Sequence, residues 1–483
     1  MHRIGQNSIY MQSGDSDGRY LVWAVPALGN LAASFQGWKF NRERYGNEYH
    51  RCIGEILTRD TWNLEQILRY QEENLQRLIK HAVTHVPYYR ELFRKVGLSP
   101  EEIKTVSDLQ KLPILEKSQV RDDPIKFVDE RLNPKNLICD RTTGTTGTPI
   151  KVFKASTVLQ RHYAYFEVRC RRLAGMDFGR EPYVMLGAQI VAPPSRTHPP
   201  FWCYNYFHRQ LYMSVFHLSP IYLSHYCQEI KKRSYHAIMG YPSALHTLGQ
   251  YILEAGENNF NFKTAVTSGE MLYSHQRRII QQAFGCQVFD QYGCAEICVF
   301  AAQCHEGSMH LSPDYGVLEI VDDAGQTVSA GTVGQFICTG LINHAQVLIR
   351  YRLGDRGALS DERCRCLSSL PVLKSIEGRT NDTFVLPDGR RLGRLGDTMY
   401  GVTNVAEWQL IQEAPDLFTM CVVRAKGYSP ADSEQILRNL RHDLPGVEIN
   451  VKIVTAIEQG PGGKRALFVP MGVHNGISIR PSR

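Results

Sequence analysis

Leu64, Ile67, Leu68, Leu75, Leu78, Ile79 and Ala82 recur at three- and four-residue intervals, which predicts an amphipathic helix over 64–82 with one core-facing stripe. Pro87 ends it and Tyr88-Tyr89 begin the next element. Gly97 and Pro100 bracket a loop before a helix start at Glu101-Glu102. From about 137 to 355, short apolar runs alternate with helical patterns: Tyr183–Leu186, Ala237–Met239, Ala265-Val266 and Gln287–Phe289 read as strands, and Ser274–Phe284 as a helix. This is βα alternation around a largely parallel sheet, whose chemistry is expected at the strand ends. Val317–Val321 and Gly334–Thr339, with turn residues between them, read as antiparallel strands.

A break falls near 378–383. Beyond it come an Asp388-Gly389 hairpin signal, a strand at Phe418–Arg424, a helix at Pro430–His442 and a strand at Val447–Val454. The expected fold class is α/β: a large N-terminal domain, 1–380, with mostly parallel sheets and a helical start, and a small mobile α+β domain, 381–483. A length of 483 residues, 43% apolar and 21% charged, accommodates both parts. The net charge of +7 is mild and its basic residues are scattered, so a nucleic-acid partner is not expected. The apolar stretch Leu21–Phe35 is short and broken by Pro26, Gly29 and Asn30. No membrane span or targeting segment is therefore expected, and a reduced, cytoplasmic enzyme is.

The sharpest local signal is Thr142-Thr143-Gly144-Thr145-Thr146-Gly147-Thr148-Pro149, following the apolar Leu137-Ile138. Glycines let successive backbone N–H groups curl around an anion, and hydroxyls add donors, so the segment suits a phosphate cradle. It is not a Walker A loop, because no Gly-Lys-Ser/Thr follows. A polar turn without a ligand is the alternative.

Thirteen cysteines in a chain of this length do not make a disulfide scaffold. Seven of them lie between Cys286 and Cys366. Cys304 and His310, with Cys364-Arg365-Cys366 about 60 residues on, supply four soft ligands, enough for a closed tetrahedral zinc site. Reduced buried thiols are the alternative, and Cys298 is a substitute ligand.

The Thr/Gly loop resembles that of the adenylate-forming acyl- and aryl-CoA ligases. The resemblance continues in order through Ser268-Gly269-Glu270, Gln291-Tyr292-Gly293-Cys294-Ala295-Glu296, Tyr351–Asp355, Gly378–Asp382 and Gly462-Gly463-Lys464. His81–Arg90, Leu112–Leu115, Pro200–Trp202 and Gly240–Ser243 are similar to the phenylacetate–CoA ligase branch and its capsular-polysaccharide CapK-like members. The resemblance implies ATP β,γ-phosphates on 142–147. Ser268, Gly269, Glu270, Gln291, Tyr292 and Gly293 would lie around adenine, with Mg²⁺ at Glu296 and the ribose at Asp355. Arg379 would meet ribose or phosphate. Lys464, carried by the small domain, would bridge substrate carboxylate and α-phosphate, with Asn381 or Asp382 as hinge. Many relatives have Asp where Asn381 stands, so which of the two pivots stays open. CapK-like relatives have Cys and His at similar positions, which supports a structural zinc.

The implied activity is AMP-forming activation of a carboxylic acid, then transfer to CoA or to an amine. The expected partners are that acid, the acceptor and a second copy of the chain in a homodimer. Tyr204, Tyr206 and Tyr241 are candidates for the acyl pocket. The competing functions are a zinc-containing nucleotide or nucleic-acid binder without adenylation, against which the scattered basic residues argue, and a member that binds nucleotide without catalysis, against which the intact Glu296, Asp355, Arg379 and Lys464 argue.

Overall fold

The computed structural model describes residues 26–141, 150–187, 189, 191–192, 196–379, 384–387, 391–392, 399, 402, 404–444, 446–457, 467–469 and 471. The chain enters through α1 (Pro26–Arg44), α2 (Asn47–Arg59), α3 (Leu64–His85), α4 (Pro87–Val96) and α5 (Lys117–Asp122). The start of α3 is set by Asn63, whose side chain accepts from Gln66 N while Gln66 Oε1 accepts from Asn63 N, a reciprocal capping box. The predicted helix is thus real and runs three residues further. Pro87, read as a stop, is also the first residue of α4, where its missing N–H costs nothing. The helix start read at Glu101-Glu102 yields only one 3₁₀ turn, Pro100–Glu102.

A short ribbon, β1 (Ile138–Arg141) and β2 (Lys151–Lys154), flanks the Thr/Gly segment, which lies outside the described residues. Then follow α6 (Ser156–Phe166), a π-helical turn over Glu167–Arg171, β3 (Tyr183–Gly187), β4 (Trp202–Asn205) and β5 (Gln210–Ser214). Next come α7 (Pro220–Lys231), β6 (Ala237–Gly240), α8 (Pro242–Glu254), β7 (Thr264–Ser268), α9 (Ser274–Phe284) and β8 (Gln287–Gly293). The run closes with β9 (Phe300–Gln303), β10 (Met309–Leu311), β11 (Gly316–Val321), β12 (Gly334–Gly340), β13 (Tyr351–Leu359) and β14 (Val372–Arg379).

These strands form one twelve-stranded sheet, ordered β11-β12-β13-β14-β10-β9-β8-β7-β6-β3-β5-β4. The parallel part expected from the βα alternation is the block β8-β7-β6-β3-β5. The remaining pairings are antiparallel, so the sheet as a whole is mixed. Alternation within the parallel strands divides two cores. Val184, Leu186, Ile238 and Ala265 pack with α7, α8 and α9, while Tyr183, Met239 and Val266 pack with α2 and α6. Asp314, between β10 and β11, ties the second layer together. It receives Arg59 Nε at 2.7 Å and Arg169 Nη1 at 2.6 Å, and the two guanidinium groups hold its carboxyl below the ordinary range against the cost of burial.

Beyond β14, β15 (Phe384–Val385) and β16 (Arg391–Leu392) pair as the hairpin expected around Asp388-Gly389, which itself lies outside the described residues. A second sheet, ordered β19-β18-β17-β20, comprises β17 (Val405–Ala414), β18 (Leu417–Arg424), β19 (Glu448–Val454) and β20 (Phe468–Val469). Helix α10 (Pro430–Asp443) packs on it through Ile436 and Leu440. Trp408 on β17 and Phe468 on β20 face the start of α9, with ring centroids 6.1 Å from His275 and 6.0 Å from Tyr273.

Candidate functional site

The parallel strands deliver the predicted motifs to one edge. Ser268 ends β7 and is the register partner of Gln291, near the end of β8. Gly269 follows at φ +81°, a left-handed conformation that turns the chain out of the sheet. Glu270 then reaches the N-terminus of α8, where Oε2 accepts from Ser243 N at 3.1 Å. Its carboxylate is thus engaged by a helix start. Gln291 Nε2 donates to the Tyr292 carbonyl at 2.7 Å, shaping the strand end before Gly293.

Tyr292 and Asp355 meet directly. The tyrosine hydroxyl donates to Asp355 Oδ2 at 2.6 Å, and burial together with the neighbouring carboxylate keeps the phenol protonated. Gly354, at φ +90°, precedes Asp355 on β13, and Arg379 on β14 is the ladder partner of Asp355. Residues expected at the nucleotide, from three separate motifs, therefore share one sheet region.

Glu296 sits in a tight turn after β8 and is 5% exposed. The turn closes through Ile297 N to the Cys294 carbonyl at 3.1 Å. It packs so closely on β11 that a Cβ at Gly316 would fall 2.0 Å from the Cys298 carbonyl oxygen. Glu296 Oε1 accepts from the Tyr351 hydroxyl at 3.0 Å and lies 3.8 Å from Lys117 Nζ on α5. Its other oxygen has no partner among the described residues, which fits a cation ligand. Backbone strain flanks the contact on both sides: Ile297 has φ +57° and Arg350 has φ +51°. For a β-branched residue that conformation is costly, and such costs collect at sites whose geometry is over-determined by packing.

Sequence reasoning missed Lys117 and did not foresee Tyr351 as the partner of Glu296. The signal for Lys117 was its place just after Leu112–Leu115. A half-buried acid was missed as well. Asp290, register partner of Thr267, accepts from Thr267 Oγ1 at 2.6 Å, and burial pushes its carboxyl up to about 7. Thr142, Thr143, Gly144, Thr145, Thr146, Gly147, Asn381, Asp382 and Lys464 lie outside the described residues. Of the pocket candidates, Tyr241 is buried in the α7–α9 core. Tyr204 and Tyr206 stand together on β4 and its following turn, with Tyr206 exposed.

Cys304, His310, Cys364 and Cys366 do converge, with their ligand atoms within 4.8 Å of one another. The pairing of β10 with both β9 and β14 brings the two distant segments together. Cys304 Sγ is 3.6 Å from Cys364 Sγ, and Cys366 Sγ is 3.2 Å from His310 Nε2, close to the edges of a tetrahedron around zinc. His310 Nδ1 lies 3.0 Å from the Leu370 carbonyl, which can only accept. Nδ1 therefore carries the proton and Nε2 is left as the ligand atom. Cys298, the substitute ligand, instead lies in the Glu296 turn, its Sγ directed to the Glu296 carbonyl at 3.5 Å.

No family model matches the chain. It is 25% identical to the protein CapK of Staphylococcus aureus over 460 residues, covering 91% of this chain and 96% of CapK. It is 27% identical to a phenylacetate–coenzyme A ligase of Thermus thermophilus over 342 residues, 68% of this chain and 73% of the ligase. CapK and the phenylacetate–CoA ligases are its homologues. In structure it is similar to 2-hydroxyisobutyryl-CoA ligase in the postadenylation state, at TM-score 0.69 and 19% identity, covering 85% of this chain and 90% of that one. The fold is that of the adenylate-forming acyl-CoA ligases. Within that fold, the Tyr292–Asp355 and Tyr351–Glu296 contacts join the end of β8 and the turn that follows it to β13. No described helix is long and apolar enough to cross a membrane.

Proposed function

We propose that the protein activates a carboxylic acid with ATP, forming an acyl-adenylate and pyrophosphate, and then transfers the acyl group to coenzyme A. The observation that carries this reading is the buried Glu296, held by Tyr351 beside Lys117, with the Tyr292–Asp355 pair on the same strands. Homology to CapK and to enzymes named phenylacetate–coenzyme A ligase supports it.

Asp355, oriented by Tyr292, would accept the ribose hydroxyls, and the Tyr292 ring would cover the adenine. Glu296 would hold Mg²⁺ through its open oxygen, a hard carboxylate donor for a hard cation that would neutralise phosphate charge. Thr142–Gly147 would hold the outer phosphates and Arg379 the ribose or α-phosphate. A substrate carboxylate oxygen then attacks the α-phosphorus in line, the α–β bridging bond breaks, and pyrophosphate leaves. Lys464, on the segment after 381, would neutralise charge on the pentavalent centre, and Asn381 or Asp382 would serve as pivot. In the second step the acceptor sulfur attacks the acyl carbon and AMP departs. An amine acceptor requires the same adenylate and differs only in this step.

The Cys304–His310–Cys364–Cys366 cluster would hold a structural zinc, since its ligand atoms leave no open position.

The test is carboxylate-dependent ATP–pyrophosphate exchange across aromatic, aliphatic and hydroxy acids. The expected result is exchange with at least one acid, lowered about 100- to 1000-fold in Lys464→Ala with the fold retained. Absence of exchange with every acid, in protein that binds ATP, would refute adenylation.

A further inference from the structure

Three buried nitrogen donors outside the candidate nucleotide site have no acceptor among the described residues. They are Arg44 Nε, Arg171 Nε and His208 Nε2. Arg171 and His208 are 5% and 7% exposed, so solvent does not serve them. His208 Nδ1 lies 3.4 Å from Asn205 Nδ2, and Asn205 Oδ1 is already the acceptor for the Phe207 and His208 N–H groups. The Asn205 amide therefore presents its NH₂ to Nδ1, which must accept. The ring proton sits on Nε2, making it a donor that points at nothing.

The three donors share one set of aromatic walls. The Arg171 guanidinium lies 3.7 Å from the Phe178 ring centroid, 4.8 Å from Phe166 and 5.9 Å from both Tyr45 and Tyr163. The Arg44 guanidinium lies 4.8 Å from the same Tyr163 ring and 4.3 Å from Phe40. The His208 ring is 5.3 Å from Phe178 and 5.9 Å from Tyr45. Two like charges thus stand within 6 Å of one tyrosine ring.

Countercharge is short. Glu167 lies 3.4 Å from Arg171 but also 3.4 Å from Arg172. Arg44 has no ion pair and no side-chain hydrogen bond among the described residues. Both nearby imidazoles register the resulting positive potential. Burial, then Arg171 and Arg44, push His208 down to about 4, and His162 is lowered by burial, Lys154, Arg44 and Arg171. Arg171 is bonded to Glu167 and, through both Nη atoms, to the Tyr45 hydroxyl at 3.3 Å, so the unmet demand is at its Nε, at Arg44 Nε and at His208 Nε2. Enclosed donors without acceptors are costly, and two of the three sit on cations that favour an acceptor carrying charge.

We propose that Arg44, Arg171 and His208 form a binding site for an oxyanion, a carboxylate or phosphate group. Arg44 and Arg171 supply charge and Nε–H donors, His208 supplies a neutral N–H, and the aromatic walls exclude water. The site stands on the α1–α6 face at the start of the parallel block, since His208 immediately precedes β5 and Arg171 neighbours Tyr183, the first residue of β3. The nucleotide motifs lie at the opposite ends of these strands, on Ser268 and Gly293. This is therefore a second ligand position, independent of the adenylation reading.

The test is thermal unfolding of the full chain in phosphate, citrate or acetate, with chloride as reference at constant ionic strength. A saturable rise of about 3 °C is expected from at least one oxyanion in wild type, and its loss in Arg44→Met and in His208→Leu. A response confined to phosphate identifies a phosphoryl ligand; one confined to carboxylates identifies an acid group. Glu296→Gln, altered at the candidate nucleotide site, should respond as wild type does. The proposal is overturned if no oxyanion stabilises wild type saturably. It is equally overturned if the response survives Arg44→Met and His208→Leu but vanishes in Glu296→Gln. If Arg44→Met does not fold, His208→Leu, which removes only the neutral donor, carries the comparison with wild type and Glu296→Gln.

Discussion

Tyr292 on β8 donates its hydroxyl proton to Asp355 on β13 across 2.6 Å, tying together two strands that are not neighbours in the sheet. A carboxylate oriented in this way presents its remaining lone pairs in one direction, which suits a diol. Tyr292→Phe keeps the ring and removes only the donor. The expected outcome is a rise in the KM for ATP of about tenfold, the worth of one hydrogen bond to a charged group. Steady-state kinetics against ATP checks it, and an unchanged KM would remove Tyr292 from any positioning role.

The Tyr351–Glu296 bond offers a graded comparison. Glu296→Gln keeps the shape and removes the charge, so pyrophosphate exchange should fall at least about 100-fold. Tyr351→Phe leaves the carboxylate in place but freer to rotate, and a smaller loss of about tenfold is expected. Equal losses in both variants would mean that the hydrogen bond, not the charge, is what the site needs.

Zinc content and stability should move together. Protein purified without chelators is expected to hold about one zinc per chain by elemental analysis, and Cys366→Ser to lose it with a clear drop in melting midpoint. Zinc retained in full by Cys366→Ser would rule that thiol out as a ligand.

The small sheet rests against the large one through contacts that include two ring pairs, Tyr273 with Phe468 and His275 with Trp408. Tyr273 follows the Ser268-Gly269-Glu270 motif by three residues, so this contact joins the candidate nucleotide edge to the second sheet. Tyr273→Ala should lower adenylate formation about tenfold while shifting the melting midpoint by only a few degrees, because the core of each sheet is untouched. Exchange at the wild-type rate would show that the ring contact does not hold the two parts in their working arrangement.

Asp290 has a folded-state carboxyl pushed up to about 7 by burial, against an ordinary value of 3.8. The folded state therefore binds its proton more tightly than the unfolded chain. Stability from this group is complete below about pH 4 and is lost as pH rises toward 7, by about 4 kcal/mol at most. Asp290→Asn mimics the protonated form. Its unfolding free energy, followed by urea titration from pH 4 to 8, should fall less steeply with pH than that of wild type; parallel curves would contradict the assignment.

Much of the architecture was legible because local rules and tertiary demand agree. The 64–85 helix carries its own cap at Asn63, and the α9 stripe at 274–284 matches the residues that bury there. The strands of the parallel block were legible because both faces are buried and the runs are continuously apolar. Helix α1 escaped notice for the opposite reason. It buries Ala33 and leaves Leu31, Phe35 and Trp38 exposed, so its largest apolar residues do not mark its packed face. The extent of antiparallel pairing also escaped, since strand direction is set by connections that periodicity does not encode.

The linear order of residues determined the motif set, the α/β class and the four soft ligands, because each depends on residue types at short spacing. Tertiary structure alone decided which of them meet. Cys304 reaches Cys364 because β10 lies between β9 and β14, and Glu296 reaches Tyr351 and Lys117 because a strained turn rests on Gly316. It also decided that Arg44, Arg171 and His208, far apart in the chain and marked by no motif, would gather around shared aromatic rings, each with one buried nitrogen left without an acceptor among the described residues. Such partnerships follow from strand order and close packing, which bring together residues that no local spacing relates.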